Sequence, residues 1–246
     1  MINLSGKRAL VTGGSRGIGA AIALALAENG ADVALTFQSS ADRAQDVVKS
    51  IEKLGRRGVA IQADSADPAA IKRSVDEAVA ALGGLDILVN NAGIALYSTI
   101  ADFKVEDIDA LLAVNVRGPV LATQAAIPHL GAGGRVITIG SAGADRIVGA
   151  PGTVYYMTKS ALQSFTRGLA QELGPKDITA NLVQPGSTDT DMNPANGESS
   201  DFQRSLTPLG RYASPADVAA AVTFLASPAA RHLTGTIITV DGGLLT

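Results

Sequence analysis

Tyr155 and Lys159 stand four residues apart in YYMTK, the spacing that puts two side chains on one face of a helix within reach of each other. An ammonium close to a phenol favours the phenolate and draws its pKa down from about 10 toward the pH of the cell. Such a phenol can pass a proton to a carbonyl oxygen or take one from an alcohol. Taken alone, the pair also fits a Tyr packed in a core beside a Lys whose amine snorkels to water. The residues that surround it decide between the two.

A second group with chemical capacity lies near the start. The run RALVT leads into TGGSRGIG, which carries Gly13, Gly17 and Gly19 and passes straight into an Ala-rich segment of helical period. Glycine lets a backbone turn tightly and lets a pyrophosphate approach the N–H groups and dipole of a helix start. The spacing differs from G-x-G-x-x-G, but a strand, a Gly-rich turn and a helix at the head of an alternating chain point to a dinucleotide. The end of the next strand bears on which one. An NAD site sets Asp or Glu there for the ribose 2′-hydroxyl, whereas VALTFQSS ends in Phe37, Gln38, Ser39 and Ser40, with Asp32 at the wrong end of the strand. Arg16, in the Gly-rich turn, offers a forked cation for a 2′-phosphate. NADP(H) is therefore the expected cofactor, ahead of NAD(H).

These groups need a scaffold to bring them together. Apolar runs of strand length (RALVT, VALTF, GVAIQA, LDILVN, RVITIG, ITANLV and TIITV) alternate with segments of helical period near 17–29, 40–55, 68–82, 105–129, 154–174 and 214–226. That alternation predicts an α/β fold, a parallel sheet with helices on both faces. Asp67-Pro68 and Ser214-Pro215 each place an N-cap residue before Pro at the first helical position. The stretch 186–212 has no clear period and is too long for an ordinary connection, which marks it as a substrate loop or lid. With no linker, repeat or low-complexity tract, residues 1–246 read as one domain.

Composition narrows the function. A chain of 246 residues with 46% hydrophobic content can bury one sizeable core, and 4% aromatics with no Trp do not suit a stacking platform for bases. The net charge of −3 is spread out with no basic run, so neither nucleic acid nor an anionic membrane is expected as a partner. The absence of Cys excludes disulfides and thiolate chemistry, and His129 and His232 form no ligand spacing, so no metal is expected. The start MINLSGKRALVTGG does not read as a signal peptide, and no apolar run approaches the length of a membrane span. The expected location is cytoplasmic.

Several motifs coincide in one order: TGGSRGIG, Asp64 after the third strand, NNAG at Asn90 to Gly93, Asn115 in LLAVNVRG, Ser141, Tyr155 with Lys159, and Pro185-Gly186. Over essentially its whole length the chain resembles the short-chain dehydrogenase/reductase family. That resemblance implies a Rossmann-like three-layer αβα sandwich with a seven-stranded parallel sheet, a homotetramer, and a catalytic tetrad of Asn115, Ser141, Tyr155 and Lys159. In the implied roles Ser141 donates to the substrate carbonyl and Tyr155 is the general acid of reduction. Lys159 lowers the Tyr155 pKa and holds the nicotinamide ribose, while Asn115 holds a water that feeds protons to the lysine. The implied cofactor contacts run from Gly13, Ser15, Arg16, Gly17, Ile18 and Gly19 through Phe37 and Ser39 to Asp64 and Ser65 at the adenine. They continue with Asn91, Ala92 and Gly93 and end with Pro185, Gly186, Thr188 and Thr190 around the nicotinamide amide, where Thr188 replaces a usual aliphatic residue.

Within the family, the expected activity is NADP(H)-dependent reduction of a small ketone, aldehyde or keto ester, or the reverse oxidation. A 3-oxoacyl-(acyl-carrier-protein) reductase is an alternative, although the basic residues available to dock an acidic carrier are few: His129, Arg135, Arg167 and Lys176. GSAGADR and QPGSTDTDMNPANG are also similar to family members that bind cyclic di-GMP in biofilm dispersal. Leu96, Tyr97, Val148 and Met192 are expected to line the substrate pocket.

Overall fold

Residues 2–147, 149 and 151–246 are described in a computed structural model of the chain. The apolar runs form seven strands, β1 (Arg8–Val11), β2 (Asp32–Phe37), β3 (Gly58–Gln62), β4 (Leu85–Asn90), β5 (Leu130–Ile139), β6 (Thr179–Pro185) and β7 (Ile237–Val240). All pair in parallel in the order β3-β2-β1-β4-β5-β6-β7. Between them lie α1 (Gly17–Glu28), α2 (Ala41–Lys53), α3 (Pro68–Leu82), α4 (Val105–Leu112), α5 (Gly118–Ala126), α6 (Thr153–Leu173), α7 (Ser200–Ser205) and α8 (Pro215–Ala226). The chain turns from one half of the sheet to the other between β1 and β4, the point at which open α/β sheets leave a crevice beyond the strand ends.

The strands are apolar on both faces, and their period of two divides the core. Val11, Leu35, Val89 and Ile137 face Ile22 and Leu26 of α1, Val48 and Ile51 of α2, and Val222 and Leu225 of α8. Leu10, Ala34, Leu88 and Val136 face the other way, against Val75 and Leu82 of α3 and Leu169 and Leu173 of α6. Two helix starts use the caps that the sequence predicts. Asp67 Oδ1 accepts from the Ala69 N–H at 2.8 Å, and Ser214 and Asp217 form a reciprocal capping box ahead of α8.

One predicted helix is not continuous. The segment 105–129 breaks into α4, a π turn at Ala113–Arg117, α5 and a short 3-10 turn. Pro119 has no N–H to return to the carbonyl of Asn115 four residues earlier, so the regular ladder cannot pass this point. The same segment corrects a second expectation, because by length and composition Val105–His129 is long and apolar enough to cross a bilayer. In the fold one side of it packs on α3 and α6, with Thr123 buried and accepting from Asn90 Nδ2 at 2.9 Å.

The stretch 186–212 also has more order than its lack of period suggests. It contains α7, and Gln203 on that helix accepts from Ser187 Oγ at 2.7 Å and Asn193 Nδ2 at 2.9 Å. A bridge between Thr188 and Ala213 closes its base.

Candidate active site

Side chains from three parts of the chain converge at the carboxyl edge of the sheet. Ser141 lies two residues beyond β5 in extended backbone, and its Oγ accepts from the Gly143 N–H at 3.1 Å. That contact leaves the hydroxyl proton free to donate, and the Ser141 side chain acts on the Tyr155 phenol, drawing its pKa down. Tyr155 and Lys159 occupy the first two turns of α6. Asn115 sits in the π turn with no exposure at all, which excludes a polar residue on a helix surface. Its Oδ1 accepts from the Ile94 N–H at 2.9 Å, and its Nδ2 donates to the Ile94 carbonyl at 2.9 Å and to Thr158 Oγ1 at 3.1 Å. The amide thus ties the loop after β4 to α6. Gly93 lies close to both: a Cβ there would stand 3.4 Å from Asn115 Oδ1 and from Lys159 Nζ.

Tyr156, only three positions before Lys159, is held elsewhere. Its ring sits between Gly143 and Gly152, where an added Cβ would come within 2.2 and 2.5 Å of it. The Tyr155 ring, in turn, is wedged between those of Tyr97 and Tyr156, with centroids 5.7 and 5.5 Å away.

The expected drop in the Tyr155 pKa is not found in the protein alone. Burial pushes the phenol above its ordinary value of 10.0, and Tyr97 and Tyr156 add to the rise, with the Ser141 side chain opposing it. The amine does not reach the hydroxyl. It stands 6.0 Å from the Tyr155 ring centre and donates instead to the Ile139 carbonyl at 3.2 Å. Burial shifts Lys159 too, from 10.5 down to about 8. Helical spacing placed the two groups together, but it carried no information about the desolvation that dominates both.

The buried amine makes stability depend on pH. Because the folded protein holds this proton less tightly than the unfolded chain, stability rises as pH climbs from about 8 to 10.5. Below that window folding carries the whole cost of the buried charge, about 3 kcal/mol at ~1.4 kcal/mol per unit. Lys159→Met is accordingly expected to exceed the wild type in urea stability at pH 7 and to lose most of that lead by pH 10.5. A lead that does not change with pH would place the amine in water.

A cleft of about 870 Å³ runs from this cluster across the β1–β4 crevice to the end of β2. Its wall includes Gly13, Ser15, Arg16, Gly17, Ile18, Gly19, Phe37, Ser39, Asp64, Ser65, Asn91, Ala92, Gly93, Pro185, Gly186, Thr188 and Thr190 together with Ser141, Tyr155 and Lys159. Asn115 lies behind this wall. Gly13 and Gly17 have φ of 65° and 54°, the left-handed region that favours glycine. The start of α1 has no side-chain cap and no acidic residue in its first turn, which leaves its N–H groups to face the cleft as an anion site. Asn91 Nδ2 donates to the carbonyls of Thr12 and Gly13 at 2.9 and 3.1 Å and pins the Gly-rich turn to the end of β4. The carboxylates on the wall are Asp64, Asp191 and Glu198, and none of them stands at the end of β2. Asp64 is engaged locally, accepting from the Ala66 N–H at 2.8 Å.

Of the expected pocket residues, Tyr97 and Met192 lie on the wall and Leu96 does not; Val148 lies outside the described residues. Phe202 on α7 completes the apolar mouth and was not legible, because its stretch has no periodic pattern. Asp191 and its cationic partners Arg16 and Arg43 were missed as a group, since they lie far apart in the chain.

Comparisons with known proteins agree with this architecture. A family model described as enoyl-(acyl carrier protein) reductase matches residues 13–245. A short-chain dehydrogenase from Burkholderia cenocepacia J2315, solved in complex with NADP, superposes with a TM-score of 0.98 at 56% identity, covering 99% of this chain and 100% of that one. The cyclic-di-GMP-binding biofilm dispersal mediator protein of Escherichia coli K12 is 41% identical over 97% of both chains. A versicolorin reductase of Emericella nidulans is 42% identical over 98% of this chain and 96% of its own. With the tetrad positions gathered at the carboxyl edge of a seven-stranded parallel sheet and matches of this extent, the chain belongs to the short-chain dehydrogenase/reductase family.

Proposed function

We infer that the protein is an NADP(H)-dependent carbonyl reductase that also runs in reverse as an alcohol dehydrogenase, with Tyr155 as its general acid and base. The observation that carries this reading is that Ser141, Tyr155 and Lys159 share the wall of a cleft that begins at an uncapped helix. The residues fit the cofactor. In this reading Gly13, Ser15, Gly17, Ile18 and Gly19 take the diphosphate on the α1 N-terminus, and Phe37, Ser39, Asp64 and Ser65 flank the adenosine. Asn91, Ala92 and Gly93 line the middle, Pro185, Gly186, Thr188 and Thr190 take the carboxamide, and Lys159 holds the nicotinamide ribose. When bound, the nicotinamide supplies or accepts the hydride.

The chain's own groups manage the proton. Ser141 donates to the substrate carbonyl, and the Tyr155 hydroxyl gives its proton to the same oxygen as the carbon takes up hydride. The raised pKa keeps Tyr155 protonated at neutral pH, which suits an acid in the direction of reduction. Oxidation is the reverse: it starts from the Tyr155 phenolate that reduction leaves, a form favoured by a nearby ammonium such as Lys159, and that phenolate takes the alcohol proton as hydride departs. Asn115, hydrogen-bonded to Ile94 and Thr158, holds the loop after β4 against α6 so that these groups keep their places.

The mouth of the cleft supports a neutral, free substrate. Tyr97, Met192 and Phe202 are large exposed hydrophobic side chains on its wall. An acyl-carrier substrate would need cations at this end, whereas Arg135 is buried and donates to the carbonyls of Gly133 and Gly134, near the opposite end of β5. The similarity to a versicolorin reductase supports ring-bearing ketones among the substrates.

The similarity to a cyclic-di-GMP-binding protein favours a second reading, a regulatory binder. NADPH oxidation measured with aryl ketones and keto esters, beside a titration with cyclic di-GMP, separates the two. Turnover without cyclic di-GMP binding is the expected outcome; tight cyclic di-GMP binding with no turnover on any carbonyl would reverse the assignment.

A further inference from the structure

Asp191 lies in the segment that folds over the Gly-rich turn, next to Thr190, whose Cγ2 is 3.4 Å from where a Cβ on Gly17 would stand. Its carboxylate reaches the far end of the cleft. Arg16 Nη1, just before α1, lies 3.5 Å from Asp191 Oδ2, and Arg43 Nη1, in the first turn of α2, donates to that same oxygen. Two guanidinium groups from different elements thus converge on one anionic oxygen. They do so beside Ser39 and Ser40, past the end of β2, where the 2′-hydroxyl side of an adenosine ribose lies in a crevice of this type. Arginine forks of this kind match phosphate oxygens.

Resting on the NADP(H) reading above, we propose that Arg43 joins Arg16 in holding the cofactor 2′-phosphate, and that Asp191 is an internal anion that occupies this two-arginine site until the phosphate displaces it. Three properties fit that role. The side chains of Arg16, Arg43 and Asp191 are 54%, 57% and 54% exposed, so water screens their pairing and makes it easy to exchange. A phosphate monoester carries about −1.5 to −2 at neutral pH with three acceptor oxygens, against a single charge on Asp191. Once the phosphate is in place, a carboxylate on the same two cations is repelled by it. Arg43 holds the Asp191 carboxyl below its usual range, with Arg16 adding to the effect, so the carboxylate stays charged throughout the neutral range. NADH, lacking the phosphate, has nothing with which to displace it. Selectivity between the two cofactors is then set by the difference between two anions competing for the same pair of arginines.

The test is the dissociation constant of NADPH and of NADH for the full chain, followed by nucleotide fluorescence, in wild type and two variants. Asp191→Asn is expected to tighten NADPH about threefold to tenfold, the range that loss of two screened ion pairs allows, and to raise the NADPH-to-NADH affinity ratio by that factor. Arg43→Gln is expected to weaken NADPH about tenfold, as loss of a charged hydrogen bond does, and to lower the ratio. If Asp191→Asn instead weakens NADPH, or shifts both cofactors equally, Asp191 is a strap over the bound nucleotide and the proposal fails. An Arg43→Gln variant with an unchanged ratio removes Arg43 from the site. A wild type that binds neither cofactor overturns the underlying reading, a result distinct from either failure.

Discussion

Tyr155→Phe is expected to lower turnover by about 10²- to 10⁴-fold, the usual worth of a positioned general acid, with NADPH affinity nearly unchanged. The variant deletes only the hydroxyl. The ring keeps its contacts with Tyr97 and Tyr156, so the fold has no reason to change. Steady-state kinetics with an aryl ketone should show the loss in kcat rather than in cofactor KM, since the proton moves only in the transition state. Full turnover in this variant would mean that another group in the cleft, such as the Tyr97 or Tyr156 phenol, supplies the proton.

The second large effect is expected at Gly19. A Cβ there would stand 2.3 Å from the Gly13 carbonyl oxygen and 2.4 Å from Asn91 Nδ2, distances at which backbone has to move. Gly19→Ala must therefore push the Gly-rich turn away from α1 and break the hydrogen bonds by which Asn91 pins it. Overpacking of this kind costs about 1–3 kcal/mol of stability, and displacing a phosphate site by an ångström costs about 10² in function. A fluorescence titration with NADPH, run beside thermal unfolding, should show both losses together. Normal cofactor affinity would show that the turn is not where the diphosphate sits.

How much was legible in advance varies with the range of the interaction. The strand runs, the caps at Asp67 and Ser214 and the Gly-rich turn before α1 are local patterns, and each was readable from a few neighbouring residues. The helix over 105–129 was readable in its period but not in its break, although Pro119 carried the signal, because one missing N–H decides a π turn only when neighbouring elements require it. Phe202 and Gln203 were hidden for another reason. They act through contacts that a stretch without period does not announce.

Type and spacing alone, then, were enough for a parallel sheet with helices on both faces, for a Gly-rich turn at the head of a helix, and for a tyrosine and a lysine on one helical face. Only the tertiary structure decided the sign of the tyrosine's pKa shift, because desolvation depends on everything packed around the ring, and the amine spends its hydrogen bond on the Ile139 carbonyl. The meeting of Arg16, Arg43 and Asp191 was likewise settled in three dimensions. Charges so distant along the chain come together only when the sheet order brings the ends of β1, β2 and β6 to one edge, and no spacing rule encodes that convergence.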